Sequence, residues 1–396
     1  MPPRKIAAIT SRREPWVEQG SKLTSSSRTQ AAGPAGRRLP TMQDVADASG
    51  VSQSTVSRVL TGAPNAIPIN PATRGRILEV ARQMHYRPNP LARGLRGART
   101  MLLGVIVREI TDPFFAVAVD AISTEANRHG YNVVLGHAHG KTDEAIALRG
   151  VLETRHCDAI LLVGDTSDQP RLLEDLRDTN VPVVGLWQGT APIPGISIIG
   201  VDNKAGINSA MDHLLDLGHR RIAFVGGVFL EGRLIGDIGE RRTAFLERAA
   251  TEGLATPDDY VRDARNTLGG GAGALCELME LPEPPTAIVA STDVLAIGAI
   301  HEASHRGLHI PGDISIVGFD DLPMAEYTTP SLTTVRMPTA EMAIAAVSAA
   351  IAEEEGEDNR DATTLQILKP TIVVRESTGP IRFSANQSVR GGASSA

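Results

Sequence analysis

The sequence predicts an α/β protein in which a small N-terminal domain of three helices precedes a larger, two-lobed domain of parallel, doubly wound sheets. Three short amphipathic segments with a tight turn occupy residues 41–86 of the 396-residue chain. Beyond residue 100, apolar strand segments alternate with amphipathic helices, which is typical of parallel sheets. About ten strands over roughly 270 residues are more than one compact sheet holds, so we expect two lobes.

Composition shifts along the chain set the boundaries of these domains. Both ends are rich in small and polar residues without an apolar period, which indicates disorder. The predicted segments are a basic disordered tail (1–40), the helical domain (41–86), a linker that holds a marginal helix (87–100), the larger domain (101–376) and a second disordered tail (377–396). Within the larger domain we expect lobe 1 at about 101–200 and 337–357, and lobe 2 at about 201–332 and 361–376.

Charge is distributed unevenly between the two domains. Residues 1–100 hold 16 Lys and Arg and 5 Asp and Glu, a net charge of +11, whereas the remainder holds 23 and 41, a net charge of −18. A basic head on an acidic body predicts that the head contacts a polyanion. No apolar run approaches the roughly 20 residues that span a bilayer, and no apolar stretch follows the basic N-terminus. We therefore expect a cytoplasmic protein without a membrane partner.

The helical domain has the pattern of a helix-turn-helix. Thr41–Asp44 is a capping box that begins the first helix, Ser49–Gly50 ends it, and Ser52 caps the second. A helix of this kind enters the major groove of DNA and contacts base edges with its exposed side chains, here Gln53, Ser54 and Arg58. Side chains suited to phosphate contact are Thr41, Ser52, Thr55, Ser57 and Thr73. The alternative is a small helical bundle with a solvated polar face.

Several motifs resemble the LacI/GalR family of bacterial repressors. The DNA-binding signature of that family is similar to residues 41–59, and further motifs extend the resemblance over roughly residues 41 to 375. These motifs are Tyr86–Pro90, Ala92–Leu95, Asp112–Phe115, Leu217–His219, Pro311–Ser315, Val317–Asp321 and Leu332–Arg336. The resemblance implies a periplasmic-binding-protein-like effector domain and a sequence-specific transcriptional regulator, expected to be a repressor. It also implies an allosteric small-molecule effector, expected to be a sugar or sugar derivative.

The resemblance also assigns a role to the linker. In the family, the segment that matches Asn89–Arg96 folds into a hinge helix on operator DNA. Two such helices of a dimer lie in the minor groove, where the leucine that matches Leu95 inserts between base steps. We therefore expect Asn89 and Leu95 to contact DNA, with packing of Leu95 on its own domain as the alternative.

Five residues are expected to bind the effector because they follow strands of the predicted sheets. Phe114 and Phe115 follow the first strand, Trp187 follows another, and Arg241 and Asp293 begin helices after two more. By resemblance, the positions of Arg241 and Asp293 contact polar groups of the effector. The alternatives are core packing for the three aromatic residues and helix capping for Asp293.

The chain departs from the family pattern at several positions. The segment 61–70 is a few residues longer than usual between the second and third helices. Thr292, Met337 and Asn266 stand where Asn, Gln and an aromatic residue are common, so no known ligand is carried over. The tetramerising leucine repeat of some members is absent from residues 377–396, and we expect a homodimer.

The remaining motifs do not predict catalysis, a metal or a cofactor. Gly136–Thr142 has three residues between its glycines, whereas a phosphate-binding loop has four. We interpret Gly269–Gly273 as a flexible loop and Asp320–Asp321 as a structural turn without a nucleophile or base. The main alternative function is a solute-binding protein of a transport system, which shares the two-lobed fold. The helix-turn-helix pattern disfavours it.

Overall fold

A computed structural model describes residues 40–61, 69–86, 99–137, 157–165, 170–177, 181–187, 193, 195–228, 236–254, 258–355 and 364–381. Two predicted features lie wholly or mostly outside these ranges: the N-terminal tail and the linker with Asn89 and Leu95. The chain divides into two units, Met1–Pro88 and Asn89–Ala396. Among the described residues, no helix has the length and apolar character of a membrane span.

The first unit contains helices α1 (Met42–Ser49), α2 (Gln53–Thr61) and α3 (Pro71–Gln83). The predicted capping box is present at the start of α1: the Thr41 hydroxyl accepts from the Asp44 amide at 3.3 Å, and the Asp44 carboxylate accepts from the Thr41 amide at 2.7 Å. Gly50 ends α1 with a φ of +64°, a conformation that favours glycine. This residue makes the tight turn into α2 possible.

A small apolar core joins the three helices. Its fully buried members are Val45, Ala46, Val56, Val59, Ile77 and Ala81. Leu78, which follows Ile77 on α3, is 45% exposed. Successive residues are about 100° apart on a helix, so Leu78 points away from the inward direction of Ile77.

The second unit is built from twelve strands and seven described α-helices. The strands are β1 (Leu102–Val107), β2 (Asn132–His137), β3 (Ala159–Val163), β4 (Val183–Leu186), β5 (Ser197–Val201), β6 (Ile222–Val228), β7 (Val261–Arg265), β8 (Ala287–Ala290), β9 (Ser315–Asp320), β10 (Thr333–Arg336), β11 (Leu365–Leu368) and β12 (Thr371–Val373). The helices are α4 (Pro113–Arg128), α5 (Pro170–Arg177), α6 (Asn203–Asp216), α7 (Gly236–Thr251), α8 (Leu268–Met279), α9 (Asp293–His305) and α10 (Thr339–Glu355). Two short 3₁₀ helices cover Asp258–Tyr260 and Pro323–Tyr327.

The strands form two six-stranded sheets, which confirms the predicted α/β class with two lobes. The first sheet has the order β11-β5-β4-β3-β1-β2 and is parallel throughout. The second has the order β12-β10-β9-β8-β6-β7, and only β12 runs antiparallel to its neighbour. Every residue of the central strands β3 and β8 is buried, as expected for sheets covered on both faces.

The chain passes between the lobes three times. It leaves the first sheet after β5 and forms α6 of the second lobe. It returns to the first lobe after β10, as shown by α10, which packs on α4, β3, β4 and β5. The third passage joins β11 in the first sheet to β12 in the second. The two sheets therefore belong to one unit connected by three short segments.

The third passage corrects one predicted boundary. Residues 361–376 were assigned to lobe 2, but β11 pairs with β5 of the first sheet, from Leu365 opposite Ile198 to Leu368 opposite Val201. The predicted tail from residue 377 is also wrong at its start, because Ser377 is fully buried and accepts from the Thr333 amide at 2.8 Å. Strand segments of three and four residues carry too little apolar pattern to identify the edge at which they pair.

A second correction concerns Gly269–Gly273, which is the beginning of α8 and not a loop. Thr267 caps this helix, since its hydroxyl accepts from the Gly270 amide at 3.1 Å. A Cβ atom added to Gly271 would overlap the Leu295 carbonyl oxygen, and one added to Gly298 would overlap that of Leu268. The glycines therefore allow the backbones of α8 and α9 to touch.

The C-terminal segment is attached to lobe 2 by a buried histidine. His219 is 2% exposed, its Nε2 lies 3.0 Å from the Gly379 carbonyl oxygen, and its Nδ1 lies 2.9 Å from the Thr286 hydroxyl. Burial lowers the pKa of His219, although the hydrogen bond to Gly379 opposes this shift. A neutral imidazole that donates from Nε2 and accepts at Nδ1 fits both partners.

The close approach of α8 and α9 predicts opposite effects of two glycine substitutions. Gly298→Ala should reduce the free energy of unfolding by about 1–3 kcal/mol, because the added methyl group forces the helices apart. Gly273 lies on the exposed face of α8, where an added Cβ meets nothing within 4 Å. Gly273→Ala should therefore raise the free energy of unfolding by about 0.5–1 kcal/mol. Thermal or denaturant unfolding compares the two. Equal stability of both variants would contradict the contact.

Replacing His219 with Gln tests the C-terminal attachment through pH. Because burial lowers the pKa of folded His219 below 6.5, the unfolded chain binds the proton first as the pH falls. The stability due to neutral His219 is complete above pH 6.5 and is lost on acidification through the folded pKa. Wild type should exceed His219→Gln by about 1–3 kcal/mol near pH 8, with a smaller difference near pH 5. Urea unfolding of both proteins measures this difference in stability. A difference that grows between pH 8 and pH 5 would show that His219 does not stabilise the fold as a neutral imidazole.

Candidate DNA interface and ligand cleft

Helix α2 presents the polar face that the sequence predicts. Val56 and Val59 are buried in the core, whereas Gln53 and Ser54 in the first turn are exposed. The Ser52 hydroxyl accepts from the Thr55 amide at 3.2 Å, so Ser52 is the N-cap of α2. Donors and acceptors at the start of a helix of this kind are placed to meet base edges.

The other predicted DNA contacts surround this face. Thr55, Ser57, Arg58 and Thr73 are half-buried, and Thr41 is exposed at the start of α1. The structure adds two exposed cations in the first turns of α3, Arg74 and Arg76, which the sequence analysis did not select. The basic composition of this segment was the feature of the sequence that could have identified them as candidate DNA contacts. Asn89 and Leu95 lie outside the described residues.

The second candidate site is a cavity in the second unit, between its two sheets. Its volume in the present arrangement of the lobes is about 50 Å³. The residues that line it are Arg108, Asp112, Phe114, Phe115, Gly164, Asp165, Trp187, Asp237, Ile238, Arg241, Thr292 and Asp320. Both lobes contribute, and the sequence analysis predicted four of these residues as effector contacts: Phe114, Phe115, Trp187 and Arg241.

Strand ends position the side chains of the cavity. Arg108, Asp165 and Trp187 follow β1, β3 and β4 of the first sheet. Thr292 follows β8 of the second sheet, and Asp320 is the last residue of β9. Ligands of open parallel sheets bind at the carboxyl ends of strands, and here two such edges face one cavity.

Three aromatic side chains form the apolar part of the cavity. The ring of Phe114 lies 5.5 Å from that of Phe115 and 5.1 Å from that of Trp187, both in edge-to-face geometry. Trp187 is 2% exposed, and its indole Nε1 has no hydrogen-bond acceptor among the described residues. The tryptophan therefore offers a buried donor to a ligand as well as packing area.

Arg241 lies in the cavity wall but is held by the protein itself. Its Nε donates to Asn203 at 2.9 Å, and its Nη1 donates to the Ser291 carbonyl at 2.6 Å and to Asp320 at 3.4 Å. The guanidinium also stacks on the Phe319 ring at 3.7 Å from the centroid. These contacts fix its orientation and use most of its donors.

The structure does not bring Asp293 to the cavity. Its carboxylate accepts from the Thr334 hydroxyl at 2.5 Å and from the Leu322 amide at 2.7 Å, and it is fully buried. Burial raises the pKa of Asp293 to about 7. The carboxylate that pairs with Arg241 is that of Asp320, a residue interpreted from the sequence as part of a structural turn. The position of Asp320 at the end of β9 was the sequence signal for a place at the cavity.

Carboxylates outnumber cations around the cavity. Desolvation raises the pKa of Asp237 to about 6 and raises the pKa of Asp112 and Asp320 as well. Each of these carboxylates accepts from a donor within the protein: Asp112 from Asn266 at 2.8 Å, Asp237 from Asn203 at 2.8 Å and Asp320 from Arg241 at 3.4 Å. A carboxylate oxygen can accept more than one hydrogen bond, so a ligand rich in donors, such as a polyol, would use the acceptor positions that remain.

A hydrogen-bond chain crosses the cavity at one side. The Thr292 hydroxyl donates to the Asn266 side-chain oxygen at 2.7 Å, and the Asn266 amide donates to Asp112 at 2.8 Å. Thr292 and Asn266 are two of the positions at which the sequence departs from the family pattern. In this structure the departures are coupled, because both side chains belong to one chain of hydrogen bonds.

Comparison with known proteins finds one family model for each of two parts of the chain. The family model described as bacterial regulatory proteins, lacI family, matches residues 41–89, and the model described as periplasmic binding protein-like domain matches residues 211–378. The chain is 35% identical to catabolite control protein A of Priestia megaterium, over 75% of this chain and 87% of that protein. It is 30% identical to the HTH-type transcriptional repressor CytR of Escherichia coli K12, over 85% and 96%.

Solved structures agree with the sequence relatives. The complex of the transcriptional regulator CelR with cellobiose superposes with a TM-score of 0.62 at 27% identity, covering 85% of this chain and 99% of that one. The N-terminal helix-turn-helix and the two-lobed effector domain that the sequence predicted are confirmed. The chain belongs to the lacI family of bacterial regulatory proteins, and it is a DNA-binding transcriptional regulator and not an enzyme.

Proposed function

We propose that this regulator is a cytoplasmic repressor that binds operator DNA as a homodimer, with an affinity set by a sugar-like effector in the cavity between its lobes. The observation that carries the effector class is the cavity lining, which combines aromatic rings with buried carboxylates and a free indole donor. A sugar stacks its C–H faces on such rings while its hydroxyls donate and accept. CelR, a relative of similar structure, is solved with cellobiose.

The DNA contact is assigned to the exposed face of α2. Gln53, Ser54 and Arg58 are proposed to contact base edges in the major groove. Residues proposed to hold phosphates are Thr41, Ser52, Thr55, Ser57, Thr73, Arg74 and Arg76. The linker residues Asn89 and Leu95 are proposed to enter the minor groove, with Leu95 inserted between base steps.

Exposed apolar side chains support the homodimer. On the second lobe, Tyr327 is 83% exposed, Leu268 53% and Met324 43%. On the first lobe, Val134 and Leu135 are exposed on β2, the edge strand of its sheet. Large apolar side chains left in solvent are typical of surfaces that bind another protein, and a second copy of the chain is the partner proposed here.

Effector and DNA are linked through the arrangement of the lobes. A ligand that binds one arrangement better than another shifts the protein toward it, and in a dimer this changes the separation of the two linkers. A coupling of about 1–3 kcal/mol would change operator affinity roughly 5- to 150-fold. The solute-binding alternative needs no operator and leaves the polar face of α2 without a role.

Arg58→Ala tests the DNA interface. The operator is selected from random duplexes with the intact protein, and binding is measured by gel shift. Loss of a bidentate contact to a base should weaken operator binding roughly 5- to 150-fold and relax the preference at one base pair. Arg82→Ala is the matched control, because it removes the same charge from the far end of α3, where Arg82 pairs with Glu79. Unchanged sequence preference in Arg58→Ala, or equal losses in both variants, would contradict the assignment.

Trp187→Phe tests the effector site. A thermal-shift screen of neutral sugars that includes cellobiose identifies the best binder, and calorimetry then compares the variants. Loss of the indole N–H should weaken binding of that sugar roughly 2- to 12-fold while operator binding without sugar is unchanged. Trp16→Phe, which changes the only other tryptophan, is the control. A sugar that binds both variants alike does not contact Trp187, and a protein that no sugar stabilises refutes the sugar-like class.

A further inference from the structure

The chain of hydrogen bonds through Asn266 joins two segments that belong to different lobes. Asn266 follows β7 of the second lobe and receives a hydrogen bond from Thr292, which caps α9 of the same lobe. Its amide donates across the cavity to Asp112, the N-cap of α4 in the first lobe. The bond of 2.8 Å between Asn266 and Asp112 is therefore a direct polar link between the lobes.

Both ends of this link are firmly held. Asp112 is 8% exposed, and its second oxygen accepts from the Phe114 amide at 2.9 Å. The backbone amide of Asn266 donates to Val228 at 3.0 Å, and its side chain lies so close to Gly227 that a Cβ there would be 3.1 Å from its oxygen. A hydrogen bond from a fixed amide to a buried carboxylate is stronger than one between neutral groups.

A second contact closes the same cavity. Gly236 begins α7 of the second lobe with a φ of +50°, and a Cβ added there would overlap the carboxylate of Asp165, which follows β3 of the first lobe. In the present arrangement only glycine fits at position 236, because any Cβ would overlap Asp165. Among the described residues, the Asn266–Asp112 hydrogen bond and the Gly236–Asp165 contact are thus two separate contacts between the lobes, and neither needs a ligand.

We propose that Thr292, Asn266 and Asp112 form a latch that holds the two lobes closed without a ligand, and that Asn266 is the specificity-determining residue of the cavity. Its amide occupies the oxygen of Asp112 to which a ligand would otherwise donate. A ligand that opens this bond must bring a hydroxyl or ammonium donor in its place, because a buried carboxylate left without a donor is costly. An anionic group at this position would face Asp112 directly and is excluded.

This inference rests on the proposed function only for the identity of the ligand; the latch itself is a property of the ligand-free chain. Trp187 reports on it, because the indole lines the cavity and is 2% exposed. The full chain carrying Trp16→Phe leaves Trp187 as its only tryptophan. Quenching of its fluorescence by acrylamide then measures access to the cavity without any sugar.

Two variants break the latch in this background. Asn266→Ala removes the side chain beyond Cβ, and Asn266→Leu keeps its branched shape, with a larger volume, but cannot form hydrogen bonds. Each should raise the ratio of open to closed protein roughly 10- to 100-fold, seen as stronger quenching and a larger radius of gyration in solution scattering. Asn127→Ala, an exposed asparagine on α4, is the control and should match the parent. Quenching and radius that stay at parental values in both Asn266 variants would overturn the latch.

Gly236→Ala opens the cavity by an independent route. Its methyl group wedges against Asp165 and leaves the Asn266 bond chemically intact. It should raise quenching in the same direction, and it carries the test if the Asn266 variants do not fold, as judged by circular dichroism. A folded Gly236→Ala protein with parental quenching contradicts a closed ligand-free state.

The sugar screen separates this proposal from the proposed function. Variants that open in solution while no sugar binds support the latch and refute the sugar-like effector. Variants that remain closed while a sugar binds and shifts operator affinity refute the latch and leave the proposed function intact.

Discussion

The three passages of the chain between the lobes are the constraint on which the rest of the second unit depends. Each passage is short: two residues at most separate β5 from α6, β10 from α10 and β11 from β12. Both sheets must therefore keep one edge near the crossing segments, and the carboxyl ends of their strands face a common cavity. Among the described residues these three segments are the covalent links between the lobes, so contacts at the cavity also hold the lobes in their relative position.

The charged groups of the cavity are arranged around one arginine. Arg241 is 3% exposed, and its charge serves Asp320 directly and acts over a longer range on Asp112 and Asp237. Burial raises the pKa of each of these three carboxyl groups, and the nearby charge of Arg241 opposes the shift at each. Two cavity residues, Trp187 and Asp320, also have positive φ angles of 55° and 117°, which cost about 1–3 kcal/mol each. The buried carboxylates and the positive φ angles both lower the stability of the folded chain, and both occur at the cavity.

Local sequence signals predicted the first unit and the general fold of the second. The capping box at Thr41, the break at Gly50 and the buried valines of α2 depend on residues a few positions apart, which a sequence pattern records. The edges of the sheets were not predictable in this way. Strands β11 and β12 pair with partners far along the chain, and their few residues fit either lobe.

The glycines of α8 show a different limit of sequence reasoning. Glycine-rich segments favour loops by intrinsic propensity, and Gly269–Gly273 has the composition of one. The helix forms because close packing of α8 on α9 requires backbone contact at Gly271 and Gly298. The need for glycine at these positions arises from contact between two helices that are separate in the sequence. The residues next to each glycine therefore do not reveal it.

That Asp320 lines the cavity, whereas Asp293 was the expected effector contact, has the same origin. Both aspartates lie at the carboxyl end of a strand of the second sheet, and sequence spacing does not distinguish them. The difference is the donors that each meets: Asp293 finds the Thr334 hydroxyl and the Leu322 amide inside the lobe, and Asp320 finds Arg241 at the cavity. The donors that lie beside each carboxylate in the folded chain, and not the spacing of the two aspartates in the sequence, therefore decide which of them meets Arg241 at the cavity.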